Sequence, residues 1–493
     1  MNATPKLAPS NCSTRFLPIG LAIFSAFVFL MIPLRILSYG YFPVDDAMRH
    51  AAFVVQDRPW HDIILMASDI NPNFDSHPGW HHLLRFLHNS GGLDKEELVI
   101  FSMICSFMLF FGAGLLGSKN PLAWLMSCAL MAVISSGLYF RLCMGRPFAA
   151  SMAAFVLILF IWMRPRPLSW RTEFAAIFLI LTLSIMIHPT VVYVWAVPGL
   201  CLLVAKKYRS FFILSGALVC SLLVGSVILW DSYNLMIMPF MHLAKAFFQD
   251  PLRSMHLVAE FHPTGGPWSE LFVMAFILSI KVKNRTDLKK ELERVDFLLV
   301  ITLWILGLYT ARFWIDWGVP ALAVWFALQF KELLELTDSG FSKVHHTAIA
   351  SGIASAILMF QVTLDTNGRY SESARVLLLT KPENEIQKLL PEPGGILYST
   401  DMLAFYHLFY RFPSLPFKYA TGFEAGLMPA EDLAILRKIQ FNKGSIASFE
   451  PWFAKMTTKD RIGIKSDIKP EKEGFEFTPC YYFWIGRKLD NKR

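Results

Sequence analysis

"FLPIGLAIFSAFVFLMIPLRILSYGYFPVDDAMRH", residues 16–50, runs an apolar segment directly into two adjacent aspartates, Asp45 and Asp46. About 20 largely apolar residues are enough for a membrane helix, and 16–37 supplies them. Lys6 and Arg15 precede the segment. It is longer than the apolar region of a signal peptide and lacks a small-residue cleavage site, so it reads as a retained first transmembrane helix. One carboxylate at the exit of that helix would be a cap. Two of them, followed at helical spacing by Arg49 and His50, call for a further reason.

Composition sets the class. Of 493 residues 54% are hydrophobic and 17% charged, against roughly 25% charged in a soluble protein. Forty-three Phe and fourteen Trp exceed what one water-soluble core would hold, and suit lipid-facing helices with interfacial aromatic belts. The chain reads as an α-helical polytopic membrane protein. Its net charge of +8 then reports loop orientation rather than a nucleic-acid partner. Most of the seven cysteines lie in apolar runs and only Cys480 lies in the hydrophilic C-terminal part, so no disulfide framework is indicated.

Candidate spans fall near 16–37, 97–117, 121–139, 147–163, 173–190, 191–205, 211–230, 268–281, 296–310, 312–330 and 345–362, about eleven transmembrane helices. The two that flank His188-Pro189 also read as one broken helix. Basic clusters occur in "RPRPLSWR" (164–171), "KKYR" (206–209) and "KVKNRTDLKKELER" (281–294). With a cytoplasmic N-terminus, eleven spans put all three on the cytoplasmic side as well, in accord with the positive-inside rule. The loops 38–96, 140–147 and 231–267 and the tail from 363 then face outward, periplasmic or lumenal.

Polar chemistry gathers on that outer side. Residues 47–56 and 61–66 repeat their apolar positions at helical spacing, which predicts short helices along the membrane surface. "YFRLCMGRPF" contributes Arg141 and Arg146, "IHPT" contributes His188, and "TARFWIDW" contributes Arg312 and Asp316. The loop 231–267 holds Lys245, His242, Arg253 and His256 among others. Further on, "GGILYSTDMLAFYHLFYRF" predicts a strand, a turn and an amphipathic helix, and "PCYYFWIGRKL" a strand. We read 1–365 as the transmembrane domain, with outer loop 38–96, and 366–493 as a small outer-facing α/β domain.

The candidate residues carry two readings each. Asp45 can cap a helix that begins at Asp46, with Asp46 and Asp45 pairing to His50 and Arg49 one turn on. Either aspartate can also act as a general base toward an attacking hydroxyl, and the two roles coexist. Asp75, His77 and His81 or His82 offer metal-ligand types, but their spacing matches no specific zinc pattern, so a divalent metal stays open. Pro78 equally suits the first turn of a helix. Arg141, Arg146, His188 and Arg312 are individually interfacial anchors, whereas together they offer the charged forks that a phosphate requires. No G-x-x-x-x-G-K-[ST] loop is present, so nothing points to ATP hydrolysis. "NAT" and "NCS" match glycosylation tripeptides but fall on the predicted cytoplasmic side.

An outer acidic pair directly after the first transmembrane helix resembles the polytopic glycosyltransferases of the GT-C fold. The nearest parallels are the protein mannosyltransferase group and the lipid A aminoarabinose transferases. That superfamily has an Asp-Glu or similar pair at this place and a "HPPLYYLL"-like segment before the next span. Here they read "DD" (45–46) and "HPGWHHLL" (77–84), with Asp in place of Glu and Gly79-Trp80-His81 in place of Pro-Leu-Tyr. The resemblance implies a polyprenyl-phosphate sugar as donor, a glycan, lipid or protein as acceptor, and inversion at the anomeric carbon. Asp45 or Asp46 would be the base, and Arg141, Arg146, His188 and Arg312 would hold the donor phosphate. Arg49, His50, Asp75, His77 and His81 would support the acceptor side. A bacterial inner membrane, with the C-terminal domain periplasmic, fits the architecture.

Two rivals remain on sequence grounds. An O-antigen ligase or polymerase would rest on His242, Arg253 and His256. A lipid-linked-sugar transporter, or a subunit of an envelope complex, would bury polar residues at mid-membrane. Charge here collects at the outer helix ends, which favours interfacial chemistry over passage.

Overall fold

The structure is a computed structural model that describes residues 12–40, 42–43, 45–135, 137–241, 263–264, 266–283, 288–336, 342–364 and 382–489. Lys245, His242, Arg253 and His256 lie outside the described residues, as do the N-terminal glycosylation tripeptides' first positions.

Among the described residues most of each predicted span lies on helix, although the structure does not establish eleven crossings. The first eleven helices are α1 (Cys12–Leu37), α2 (Asp46–Gln56), α3 (Trp60–Ile63), α4 (Pro78–Gly91), α5 (Lys95–Ser118), α6 (Pro121–Ile134), α7 (Gly137–Cys143), α8 (Phe148–Trp162), α9 (Trp170–Ile187), α10 (Ala196–Val204) and α11 (Tyr208–Leu229). Further helices span Trp268–Lys283, Val295–Gly307, Val319–Leu336 and Ser342–Val362. Among the described residues, five segments are long and apolar enough to cross a membrane alone: Leu17–Leu37, Lys95–Ser118, Trp170–Ile187, Tyr208–Leu229 and Phe313–Glu335. The other predicted spans are shorter, interrupted or more polar. Pro189 accounts for one interruption: α9 stops at Ile187, His188 caps it, and a 3-10 turn over Pro189–Trp195 leads into α10. A proline there cannot donate to the ladder and clashes with the preceding turn.

Lipid-facing surfaces are legible in the exposure pattern. Ile19, Ile23 and Phe27 on α1, and Val219, Leu223 and Val227 on α11, recur every fourth position and are all exposed. A helix that is apolar on its buried and exposed faces alike belongs in a bilayer. The bundle interior is aromatic: Phe29 stacks on Phe111 at 4.0 Å between ring centres, and Trp317 packs edge-on to Phe148 and Phe155.

The two ends of the bundle differ in charge. At one end Lys207 donates to the Trp162 carbonyl at 3.2 Å and Arg209 pairs with Glu173 at 3.0 Å. Lys207 is within electrostatic reach of Arg294 and Asp296, and Lys281 and Arg294 converge on Glu291 and Glu332. The three basic clusters therefore share an end. The acidic pair sits at the other.

Beyond the last span the chain forms a five-stranded sheet of order β2-β1-β3-β5-β4, from β1 (Ile396–Ser399), β2 (Lys418–Tyr419), β3 (Arg461–Ile464), β4 (Phe475–Cys480) and β5 (Phe483–Lys488). β1 is parallel to β2 and β3, while β5 is antiparallel to β3 and β4. The predicted strand-turn-helix is β1 followed by the helix Met402–Arg411, whose first turn is capped by the Asp401 carboxylate. That helix packs on α2. The loop after α3 adds to the sheet edge: Ile64 bridges Tyr419 in parallel, and the Leu65 amide donates to the Tyr419 carbonyl at 2.8 Å. The C-terminal segment and the loop between α3 and α4 are thereby joined beside the acidic pair.

Candidate active site

Asp45 has an extended backbone, caps α2 through its carboxylate and is 2% exposed. The expected ion pairs are shifted by one residue. Asp46 pairs with Arg49 at 3.0 Å, three residues on, rather than with His50. Asp45 turns instead to Arg146, which lies 101 residues away in sequence. The Arg146 Nη2 is 2.8 Å from Asp45 Oδ1, and its Nε is 2.9 Å from both Asp45 Oδ1 and Asp46 Oδ2. One guanidinium thus bridges the two adjacent carboxylates, offsetting a repulsion that would otherwise be large in a dry site.

Gly145 makes that bridge possible. Its φ is +59°, and a Cβ there would sit 2.9 Å from Ala47 Cβ and 3.2 Å from the Met103 amide nitrogen. Only glycine accepts both the left-handed backbone and the close approach. The turn 144–146 therefore reaches the start of α2, where the Ala47 amide donates to the Met144 carbonyl at 3.3 Å.

A third group joins Arg49 and Arg146 around Asp46. Tyr406, on the helix Met402–Arg411, donates its hydroxyl to Asp46 Oδ1 at 3.1 Å. The periodicity of 402–411 assigns Tyr406 to an apolar face, but nothing in the sequence says which helix that face covers. Burial and the Asp46 and Asp45 carboxylates hold the Tyr406 hydroxyl well above its usual range, so it stays a donor.

The histidines expected to support the site come together around His50, one turn along α2 from Asp46. His50 Nδ1 lies 2.7 Å from His81 Nε2, and His81 Nδ1 lies 2.7 Å from Asp75 Oδ2. Asp75 is fixed by the His77 amide at 2.9 Å, while its own amide donates to Asn234 at 3.0 Å. His77 caps α4, with Pro78 in the first turn as expected. Gly79, where the resemblance leads one to expect proline, lets α4 lie against the Met186 carbonyl at the end of α9, because a Cβ would collide with it. This brings His77 within 5.0 Å of His188, ring to ring. His188 is buried and faces Ser151 at 3.5 Å.

Burial first, and then the nearby Arg49, holds His50 well below the ordinary histidine range. Burial and His188 do the same to His77, and burial outweighs Asp75 at His81. All three rings are neutral at pH 7. For Asp75 burial acts upward, but His81 and the His77 amide outweigh it and lower its proton affinity. Among the described residues no group of three or more His, Cys, Asp and Glu is arranged to hold a metal ion.

Arg141 is fully engaged with Asp316. Its Nε is 2.9 Å from Oδ1 and its Nη2 3.2 Å from Oδ2, a buried two-pronged pair. Asp316 sits in a π-helical turn over Phe313–Gly318, which starts just after the half-buried Arg312. Sequence reading missed the Arg141–Asp316 pair, Tyr406 and Gly145. Only Gly145 left a local trace, as a glycine between two residues of a charged turn.

No family model matches the chain, and no curated protein matches it. Solved structures do. ArnT from Cupriavidus metallidurans bound to undecaprenyl phosphate is 12% identical and aligns over 98% of this chain and 99% of that one, with a TM-score of 0.52. The same protein in the apo state gives 12% identity, 97% and 98% coverage and a TM-score of 0.54. The apo oligosaccharyltransferase of Archaeoglobus fulgidus is 11% identical, over 92% of this chain and 70% of that one, at a TM-score of 0.50. At such identities the likeness is one of fold, and the fold is that of the GT-C enzymes, as the acidic pair suggested.

Proposed function

We propose that this chain is a membrane glycosyltransferase that moves a sugar from a polyprenyl-phosphate donor to an acceptor hydroxyl on the outer face of the membrane. The observation that carries the reading is the Asp45–Asp46 pair bridged by Arg146 at the end of the bundle opposite the basic clusters, close to the His188 end of α9. Adjacent carboxylates offer a proton acceptor, and the surrounding arginines offer charge for a phosphate, within one small volume. The solved ArnT of the same fold holds undecaprenyl phosphate, which favours a donor of that class.

In the proposed reaction the acceptor O–H proton passes to an oxygen of Asp45 or Asp46. The hydroxyl oxygen bonds to the anomeric carbon from the face opposite the phosphate, and the carbon–oxygen bond to the phosphate breaks with its electron pair. One displacement inverts the anomeric centre. The departing prenyl phosphate gains charge, which His188, Arg312, Arg146 and Arg141 would stabilise. Such stabilisation is worth most where water is excluded. Because Arg141 and Arg146 are paired to Asp316 and to Asp45 and Asp46, binding of a phosphate would have these arginines shared between carboxylate and phosphate. The positive-inside pattern puts the N-terminus in the cytoplasm and residues 366–493 outside, as a domain that covers the acceptor side. Low cysteine use and the plain architecture favour a bacterial inner membrane as its setting.

The test is a transfer assay in membranes that carry Asp45→Asn or Asp46→Asn. Loss of a general base lowers the rate by about 100- to 10,000-fold, so at least one variant falls by that factor. Near-normal transfer in both would overturn the assignment.

A further inference from the structure

We propose that Asp75, His81 and His50 form a one-way hydrogen-bond relay that positions the Arg49 guanidinium against Asp46. The proposal rests on the glycosyltransferase reading only for its kinetic consequence. Its geometric content is independent.

The direction of the relay follows from its two ends. Arg49 Nη2 lies 3.0 Å from His50 Nε2, and a guanidinium can only donate, so Nε2 must carry a lone pair. The proton of neutral His50 is then on Nδ1, which donates to His81 Nε2. That in turn puts the His81 proton on Nδ1, where it donates to the Asp75 carboxylate. Each link is satisfied in one sense only, and the carboxylate end agrees with the guanidinium end. His81 stands at the position where the related segment carries tyrosine, so the relay is a property of this chain's own departure from that pattern.

Arg49 needs such support. It is 2% exposed, its Nε and Nη1 have no hydrogen-bond partner among the described residues, and its guanidinium lies 4.0 Å from the Phe423 ring centre. Its polar bonds are therefore to Asp46 and to the relay, and both come from the single nitrogen Nη2. Should His50 gain a second proton, Nε2–H would point at Arg49 and the relay would push rather than hold. Arg49, Arg146, His77 and His81 face His50 and oppose that protonation, while Asp75 and Arg85 act on it only through His81.

The experiment uses the full chain in nanodiscs with nitrogen-15 histidine, and assigns signals with His50→Gln and His81→Phe. At neutral pH both His50 and His81 are expected as the Nδ1–H tautomer, and Asp75→Leu is expected to release both. An Nε2–H tautomer at either ring in the wild type overturns the relay. Transfer from undecaprenyl-phosphate-linked hexoses supplies the second readout. Asp75→Leu lowers kcat about tenfold or more with donor KM within about twofold, the split expected when positioning rather than binding is lost. His50→Gln, which can accept from Arg49 and donate to His81, recovers about tenfold over His50→Leu. Equal rates for those two variants also overturn it. If the wild type transfers none of these hexoses, a hexose donor is excluded while the tautomers still decide the relay.

Discussion

Tyr406 and Asp46 are 360 positions apart in the chain and share a hydrogen bond of 3.1 Å, hydroxyl to carboxylate. The contact makes the segment after the last span part of the shell around the acidic pair. Arg58 supports the same junction by donating to the Leu415 carbonyl at 2.9 Å, and Lys95 by donating to the Tyr410 carbonyl at 3.2 Å.

Tyr406→Phe isolates that bond, since the ring is buried and phenylalanine keeps its packing. A hydrogen bond to a charged group contributes about 1.5–3 kcal/mol. The expected result is a transfer rate down about tenfold, with a melting temperature lowered by only a few degrees. A wild-type rate would mean that Asp46 keeps its orientation without the C-terminal segment.

Gly145→Ala tests the approach of Arg146 to the pair. The new methyl meets Ala47 and the Met103 amide, and φ of +59° is unfavourable for any residue with a Cβ, by roughly 1–2 kcal/mol. We expect a larger loss in transfer than in stability, because the shift falls on the residue next to Arg146. Arg146→Lys should fail as well, since an ammonium cannot reproduce the planar fork that spans two carboxylates. Both are checked by rate and thermal melt on one preparation, and equal proportional losses in the two readouts for Gly145→Ala would contradict the local effect.

The fold was readable where physics is local. Apolar run lengths located the helices, Pro189 announced the break after His188, and Asp45 before an amphipathic stretch announced a cap. Basic loops sorted the two ends. What could not be read was long-range pairing: which arginine reaches Asp45, which acid holds Arg141, and which face Tyr406 covers. Asp75 and His81 show the difference well. Their types left a metal open without a matching spacing, and folding turned them toward each other and toward His50, which no spacing rule anticipates. Arg141 was read as a phosphate ligand from its type and location, and its Asp316 partner emerges only when α7 meets the Phe313–Gly318 turn.

The Arg141–Asp316 pair gives a stability prediction. Removing one member of a buried pair leaves the other uncompensated, at a cost of about 3–5 kcal/mol. Arg141→Met and Asp316→Leu should each lower the melting temperature sharply, and the double variant should recover most of the loss. A double variant as unstable as the sum would show that the two side chains act independently.

His407 gives the pH prediction. It lies on the helix Met402–Arg411, its Nε2 is buried without a hydrogen-bond partner among the described residues, and burial lowers its pKa to about 4. In the unfolded chain the ring takes up its proton near pH 6.5. Between these values the unfolded state binds more protons than the folded state, so stability falls as the pH drops from about 6.5 toward 4 and levels off below. The full effect is on the order of 3 kcal/mol by the conversion of pKa shift to free energy. His50, His77 and His81 are displaced in the same direction and add to it. His407→Leu removes one proton site and fills the same apolar position. Its melting temperature should therefore match or exceed that of the wild type at neutral pH and decline less on acidification. Melts in detergent across that pH interval measure this directly, and parallel curves for variant and wild type would show that His407 takes up its proton as readily in the folded as in the unfolded state.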